Sequence, residues 1–195
     1  LAAPPAIPLE PVVAPASNEA AAAMKGIQLA DGLEVRLFAA EPLVANPVAF
    51  TVGPDGALYV VESFRQNRGV TDNRGHDQKW LDDDLAAQTV EDRIAYHRKH
   101  LGDKLLEYTR HDDRIRRLVD SNGDGKADQV EVLFSGFQEG NQQHRVNGLR
   151  WGLDNWLHLA NGDSGGTIKS VQTGKTLDIN GRDLRIDPET GAMEA

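Results

Sequence analysis

The chain of 195 residues contains no cysteine, and only 6% of its residues are aromatic. The absence of cysteine excludes disulfide bonds, thiolate metal sites and covalently attached c-type haem within these residues. No apolar run approaches the roughly eighteen residues that a membrane-spanning helix needs. Basic residues are the minority, 21 against 30 acidic, so the formal charge is −9. Because nucleic acids and anionic membranes repel a polyanion, we expect neither as a partner.

The composition is that of a folded chain, with 39% apolar and 26% charged residues. The length allows one domain or part of a larger one. Residues 1–24 are mostly Ala and Pro, which favours an extended leader or linker. We therefore predict a leader over 1–24 and a domain over 25–195. The leader and the absence of cysteine favour an exported protein, periplasmic or extracellular.

Two segments of the chain carry the same hairpin pattern. In residues 46–63, apolar residues alternate up to a Pro-Asp-Gly turn, and a second apolar run follows. Residues 147–163 match this segment at a constant offset of 99 residues. The matched pairs are Phe50 with Leu149, Val52 with Trp151, Gly53 with Gly152, Asp55 with Asp154, Leu58 with Leu157 and Val60 with Leu159. Repeated hairpins are typical of β-propellers, in which a blade takes roughly 40–50 residues. The offset therefore indicates an insertion inside the repeat.

Other segments also have the period-two pattern of strands. Residues 33–37 predict an early strand, and 114–119 and 130–134 predict two strands that flank an Asp-rich loop. Residues 181–195 predict a strand, an Asp-Pro turn and the beginning of another strand. The fold class that follows is all-β with a helical insertion. Its architecture is predicted to be a partial β-propeller, with about two blades and the start of a third.

The insertion, residues 64–112, begins with a polar loop and continues as the one strongly helical stretch. Thr89 and Asp92 form a capping-box pattern at a helix start. One apolar stripe is predicted, made of Val90, Ile94, Leu101 and Leu105. Charged residues lie off this stripe. A solvated cover packed on the sheet edge is therefore favoured over a recognition helix.

The Asp-rich loop, residues 120–131, has the spacing of a calcium-binding loop. Its candidate ligands are Asp120, Asn122, Asp124, the backbone carbonyl of Lys126, Asp128 and Glu131. The flanking segments are β-like, which favours a calcium-clamped hairpin loop over an EF-hand. The alternative is an Asx/Gly turn that needs no metal. We favour Ca²⁺, because carboxylates at this spacing repel one another without a cation.

His144 and Asp163 form the candidate catalytic pair. His144 precedes the first strand of the second hairpin and Asp163 follows the other strand, so the hairpin brings them to one rim. A carboxylate beside an imidazole fixes its tautomer and keeps it basic, as a general base for a hydroxyl proton requires. The alternative is a histidine that only makes structural hydrogen bonds.

The segment HRVNGLRWGLDNWLHLANGD, residues 144–163, resembles a signature of the soluble quinoprotein glucose/sorbosone dehydrogenases. The first hairpin, VGPDGALYVVES, is similar to the opening blade of that family. With ADGLEVRLFAAEPLVANPVAF and the insertion WLDDDLAAQTVEDRIAYHRKHLGDKLLEYT, the chain resembles a narrower group over residues 25–195. This group comprises the "membrane-bound dehydrogenase"-type proteins of planctomycetes and verrucomicrobia, many of which continue into a CxxCH haem domain.

The resemblance implies a six-bladed propeller that oxidises a sugar or polyol with pyrroloquinoline quinone (PQQ). His144 matches the general base of the family, and Asp163 matches the carboxylate that orients it. The implied electron acceptor is a cytochrome c domain of the same protein, with its haem outside this chain. The contacts to the quinone are implied to lie after residue 195, so no PQQ-binding residue is assigned here. The alternative function is a non-catalytic, calcium-stabilised propeller that binds glycans or proteins.

Overall fold

The computed structural model describes residues 11–65, 79–106, 111–138, 145–162, 166–179 and 181–195. The strands are β1 Pro47–Val52, β2 Leu58–Glu62, β3 Asp113–Val119, β4 Gln129–Phe137, β5 Asn147–Trp151, β6 Leu157–Ala160, β7 Thr167–Ser170, β8 Thr176–Asp178, β9 Leu184–Asp187 and β10 Ala192–Glu194. The helices are α1 Glu19–Met24, α2 Leu81–Ala86, α3 Val90–Leu101 and a 3₁₀ helix, Gly102–Leu106. The predicted fold class, all-β with a helical insertion, is confirmed.

The strands form two antiparallel sheets. Sheet A has the order β1-β2-β3-β4-β7-β8, and sheet B has the order β10-β9-β6-β5. Both predicted hairpins, the two strands around the Asp-rich loop and the final pair are confirmed. The β7–β8 hairpin, which extends sheet A, was not predicted. Neither sheet closes on itself in the described part of the chain, so the predicted ring remains a proposal.

The turns of the two repeated hairpins are built in the same way. The carboxylate of Asp55 accepts the backbone N–H of Ala57 at 3.1 Å. At the matched position of the second hairpin, Asp154 accepts the N–H of Trp156, also at 3.1 Å. The 99-residue repeat read from the sequence is therefore a repeat of three-dimensional structure.

The two sheets stack front to back. On β2, Leu58 and Val60 face away from sheet B and pack with the chain that precedes β1. Their repeat partners on β6, Leu157 and Leu159, face sheet A and join the core between the sheets. Matched residues therefore lie on the same side of each sheet, as in a stack of equivalent layers.

Each sheet also carries an arginine between two carboxylates. The two ion-pair chains are Asp55–Arg117–Glu131 in sheet A and Asp154–Arg185–Glu194 in sheet B. In both sheets the arginine is the cross-strand partner of a matched position, Tyr59 or His158. The ion-pair chain of sheet A borders sheet B, whereas the ion-pair chain of sheet B lies on the outer, more exposed face of sheet B.

Two details of the sequence prediction were wrong. Residues 33–37 form no strand. The chain just after them places Phe38 and Ala39 against the outer face of sheet A. On α3, the predicted stripe is exposed at Val90 (69%) and Ile94 (42%). The buried α3 residue is Tyr96, which contacts Trp80. Because Trp80, directly before α2, packs against Tyr96, α3 packs on another part of the insertion.

Gly136 provides a stability test for the junction of β4 with β7. Its φ is +89°, and a Cβ there would collide with the backbone carbonyl oxygen of Thr167. Gly174 has a φ of +69° with no atom within 4 Å of a Cβ. We expect Gly136→Ala to lower the free energy of unfolding by about 3 kcal/mol or more, because backbone strain and a backbone clash add. Gly174→Ala, the control, should cost about 1–2 kcal/mol. Equal losses in urea unfolding would contradict this packing.

Candidate functional site

The predicted catalytic residues, His144 and Asp163, lie outside the described residues. The chain next to each of them is described. Arg145 directly follows His144, and Asn161 lies two residues before Asp163. Both neighbours are at the end of the sheets opposite the hairpin turns. We call this the insertion end, because the chain between β2 and β3 also starts and finishes there.

The carboxylate of Asp113 is the hub of the insertion end and is fully buried. One oxygen accepts the backbone N–H groups of Phe64 at 2.6 Å and Arg65 at 3.2 Å. The other oxygen accepts the Ser63 hydroxyl at 3.2 Å and Arg145 Nη1 at 2.8 Å. Asp113 therefore joins sheet A, the start of the insertion and the chain that leads into β5.

Glu62 is a second fully buried carboxylate, at the end of β2. Its Oε2 accepts Arg114 Nε at 2.6 Å. Its Oε1 accepts Arg116 Nη1 at 3.2 Å and the backbone N–H of Ala45 at 2.8 Å. Arg116 also donates to the carbonyl of Leu43, at 2.9 Å. Glu62 thereby ties the chain before β1 to sheet A, and burial lowers the pKa of Arg116.

Asp112 is buried next to this hub. Its Oδ2 accepts the backbone N–H of Gly136 at 2.7 Å. Burial nevertheless raises the pKa of the Asp112 carboxyl above its ordinary value, and the neighbouring charge of Asp113 raises it further. Together with Arg65 and His111, these residues form a buried polar cluster, which we call the insertion-end cluster. Its described members are Glu62, Ser63, Arg65, His111, Asp112, Asp113, Arg114, Arg116 and Arg145. Asn161 is fully buried at the same end of the sheets, directly after β6.

Arg116, Arg145 and Asn161 have buried polar atoms with no hydrogen-bond partner among the described residues. These atoms are Nε of Arg116, Nε and Nη2 of Arg145 and both amide atoms of Asn161. A buried N–H or C=O without a partner costs about 1–3 kcal/mol, and such groups are rare in folded proteins. Arg145 and Asn161 lie next to the predicted catalytic residues in sequence, and their unpaired groups mark this end as a candidate ligand site.

The Asp-rich loop lies at the opposite end, between β3 and β4. Asp120 accepts the backbone N–H groups of Gly123 and Gly125, each at 2.7 Å. Asp124 accepts the N–H of Lys126 at 2.9 Å, and Asp128 binds Ser121 through both of its oxygens. The bond from the Ser121 N–H lowers the pKa of Asp128.

The remaining candidate ligands of this loop have other partners. The side-chain oxygen of Asn122 accepts the Asp124 N–H at 2.9 Å, and Glu131 pairs with Arg117 at 3.1 Å. Of the residues that the structure describes, no three acidic or histidine side chains are grouped around one metal position. The oxygens suit Ca²⁺ chemically, but here they hold the loop through its own hydrogen bonds. Calcium at this loop stays a prediction.

A groove of about 890 Å³ opens between the sheets at the turn end. Its wall includes Tyr59, Trp151 and Trp156 beside charged side chains of the sheet A ion-pair chain. The indole N–H of Trp151 donates to the carbonyl of Val52 at 3.0 Å, which closes the two sheets together at one side. Sequence reasoning did not find this groove.

The insertion-end cluster was not predicted from the sequence. One signal was available, because β3 reads DRIRRLV and carries charged residues on both of its faces. Asp113 and Arg116 are buried, so the charges there cannot be an exposed face. Buried charges are paired in folded proteins, and a charge-rich strand in the middle of a sheet therefore predicts a polar cluster.

The chain matches the sequence model of a protein family over residues 19–98 and 110–195. The description of that family is "Domain of unknown function (DUF7133)". The match covers most of the chain, and the chain belongs to this family. Searches of curated proteins and of solved structures found no match. Among the helices in the described ranges, none has the length and apolar character of a membrane span.

The raised pKa of Asp112 predicts a pH dependence of stability. Its folded pKa exceeds the ordinary value of 3.8, so the contribution of Asp112 to stability falls as the pH rises from below 3.8 through the folded pKa. Asp112→Asn removes this loss and keeps an acceptor for Gly136. We expect the unfolding free energy of the variant, relative to wild type, to increase over that window.

Asp154→Asn is the control of opposite sign. The Trp156 N–H lowers the pKa of Asp154 to about 2, so its contribution is present above 3.8 and lost as the pH falls through about 2. This variant should be less stable than wild type at neutral pH, with a difference that shrinks in acid. Urea unfolding from pH 2 to pH 7 measures both. Parallel curves for Asp112→Asn and wild type would refute a buried, raised Asp112.

Proposed function

We propose that this member of the family is part of an exported β-propeller that oxidises a hydroxyl group of a sugar or polyol, with His144 as the general base. The observation that carries the proposal is the β5–β6 register, in which Asn147 pairs with Ala160. His144 lies three residues before Asn147 and Asp163 three residues after Ala160. Both residues thus belong to the chain that leaves the same end of this hairpin, as a general base and its orienting carboxylate require.

The propeller part of the proposal is supported by the front-to-back stack of two matched sheets. When sheets stack front to back, the first and the last sheet each keep one uncovered face. Such a stack therefore either closes into a ring or extends with further sheets. The outer face of sheet B presents Arg150 and His158. On sheet A, the equivalent face is covered by sheet B. A further sheet of the same kind on the outer face of sheet B would continue the stack.

In the proposed reaction, His144 accepts the hydroxyl proton of the substrate while the hydride of the same carbon leaves, so that a carbonyl product forms. Asp163 holds the imidazole in the tautomer that accepts this proton. Bound PQQ would supply the hydride acceptor. The unpartnered N–H donors of Arg145 and Asn161 fit the anionic oxygens of such a cofactor. The remaining contacts to it are proposed to lie outside this chain, as is a cytochrome c domain that accepts the electrons.

The catalytic test uses the full-length protein with added PQQ and Ca²⁺. We expect sugar-dependent dye reduction in the wild type and a loss of about 10²–10⁴-fold in His144→Ala, the usual range for removal of a general base. His97→Ala, which removes a half-buried imidazole of α3 that packs on Trp80 and Tyr96, is the matched control and should retain full activity. If a broad panel of aldoses and polyols reduces no dye, and PQQ leaves the melting temperature unchanged, the dehydrogenase proposal fails.

The second candidate is a non-catalytic, calcium-stabilised propeller that binds glycans or proteins. The groove at the turn end favours it, because indole and phenol rings beside carboxylates suit a neutral, hydroxyl-rich ligand. This candidate gains support if glycans bind to the protein while no substrate reduces dye.

Calcium at the Asp-rich loop can be tested separately. If the predicted site forms, adding Ca²⁺ raises the melting temperature of the wild type by mass action, and EDTA reverses the rise. Asp124→Asn should abolish the effect because it removes a charged ligand. Asp103→Asn, in the exposed 3₁₀ helix, is the control and should respond as the wild type does. A melting temperature of the wild type that is insensitive to Ca²⁺ would leave the loop as a metal-free turn.

A further inference from the structure

Arg145 is fixed in place through one side of its guanidinium group. Nη1 donates to Asp113 Oδ2 at 2.8 Å and to the Ser63 hydroxyl at 3.3 Å. Asp113 is fully buried and is itself held by backbone N–H groups, so this anchor cannot swing. The guanidinium plane is therefore oriented before any ligand arrives, which lowers the entropic cost of binding.

The other side of the same guanidinium group has no acceptor among the residues that the structure describes. Nε and Nη2 of Arg145 are buried and make no hydrogen bond, and only 10% of the side chain is exposed. These two N–H groups point in parallel from one edge, the geometry that binds both oxygens of a carboxylate at once. A buried N–H pair without an acceptor costs free energy, and a carboxylate that binds this edge would recover it.

The charges around Arg145 favour a small anion. Among the described residues of the insertion-end cluster, four arginines face three carboxylates. Glu62 is shared by Arg114 and Arg116, and Asp113 is bound to Arg145 through one oxygen. The described residues of this cluster thus carry an excess of positive charge, although the chain as a whole carries −9. One open edge matches one carboxylate.

We propose that the Nε–Nη2 edge of Arg145 binds a carboxylate group of a ligand at the insertion end. The site itself is built from described residues and does not depend on turnover. Naming the ligand rests on the proposed function, which offers two sources of the carboxylate. One is an acidic sugar substrate, a hexuronic acid. The other is the carboxylate-bearing quinone cofactor.

The test is calorimetric titration of the full-length protein with three probes: D-glucuronate, D-glucose as its neutral match, and PQQ. The informative variant is Arg145→Lys, which keeps the positive charge and one donor for Asp113 but removes the two-pronged edge. Arg98→Lys, at an exposed arginine on α3, is the matched control. We expect at least tenfold weaker binding of the carboxylate probe in Arg145→Lys and unchanged binding in Arg98→Lys.

The probes separate the two sources. Glucuronate binding that is tighter than glucose binding and sensitive to Arg145→Lys assigns the edge to the substrate. PQQ binding that alone is sensitive to this variant assigns it to the cofactor. The proposal is overturned if neither probe loses affinity. In case the variant is unstable, the Nε–H NMR signal of Arg145 in wild-type protein is followed instead, and no shift with either carboxylate gives the same negative answer. Arg145-dependent binding without any dye reduction would contradict only the dehydrogenase proposal.

Discussion

One carboxylate, that of Asp113, holds together three parts of this chain that are far apart in sequence. It accepts backbone N–H groups where the insertion leaves β2 and a guanidinium group where the chain enters β5. Removing one partner of such a buried pair typically costs 3–5 kcal/mol, because a charge remains buried without compensation. The first residues of the insertion are therefore fixed to both sheets.

The same constraint orders the stack of sheets. Arg145 reaches Asp113 at the insertion end, and the indole of Trp151 reaches Val52 at the turn end. Sheet B is thus tied to sheet A at both ends of β5, with an apolar core between them. The exposed Phe50 (62%) and its buried match Leu149 (0%) show what stacking does to equivalent positions. A propeller is one way to cover the faces that remain.

Local patterns in the sequence were enough to predict the hairpins, the repeat and the capped helix. Alternation, Asp-Gly turns and the Thr89–Asp92 capping box depend on neighbours in the chain, and all are present in the structure. The failures depend on partners far away. On α3, Tyr96 is buried in place of the predicted stripe because Trp80 packs against it. The cluster around Asp113 joins residues that are 32 to 50 positions apart in sequence. Pairings over such distances leave no periodic trace in one sequence.

We propose that the matched sheets are successive layers of a closed ring with a catalytic site at the insertion end. The most direct measurement is an experimental structure of the full-length protein. The account predicts a further four-stranded antiparallel sheet packed on Arg150 and His158 of sheet B, and His144 beside Asp163 next to the Arg145 edge. A solvent-exposed outer face of sheet B, or a histidine far from that carboxylate, would contradict it.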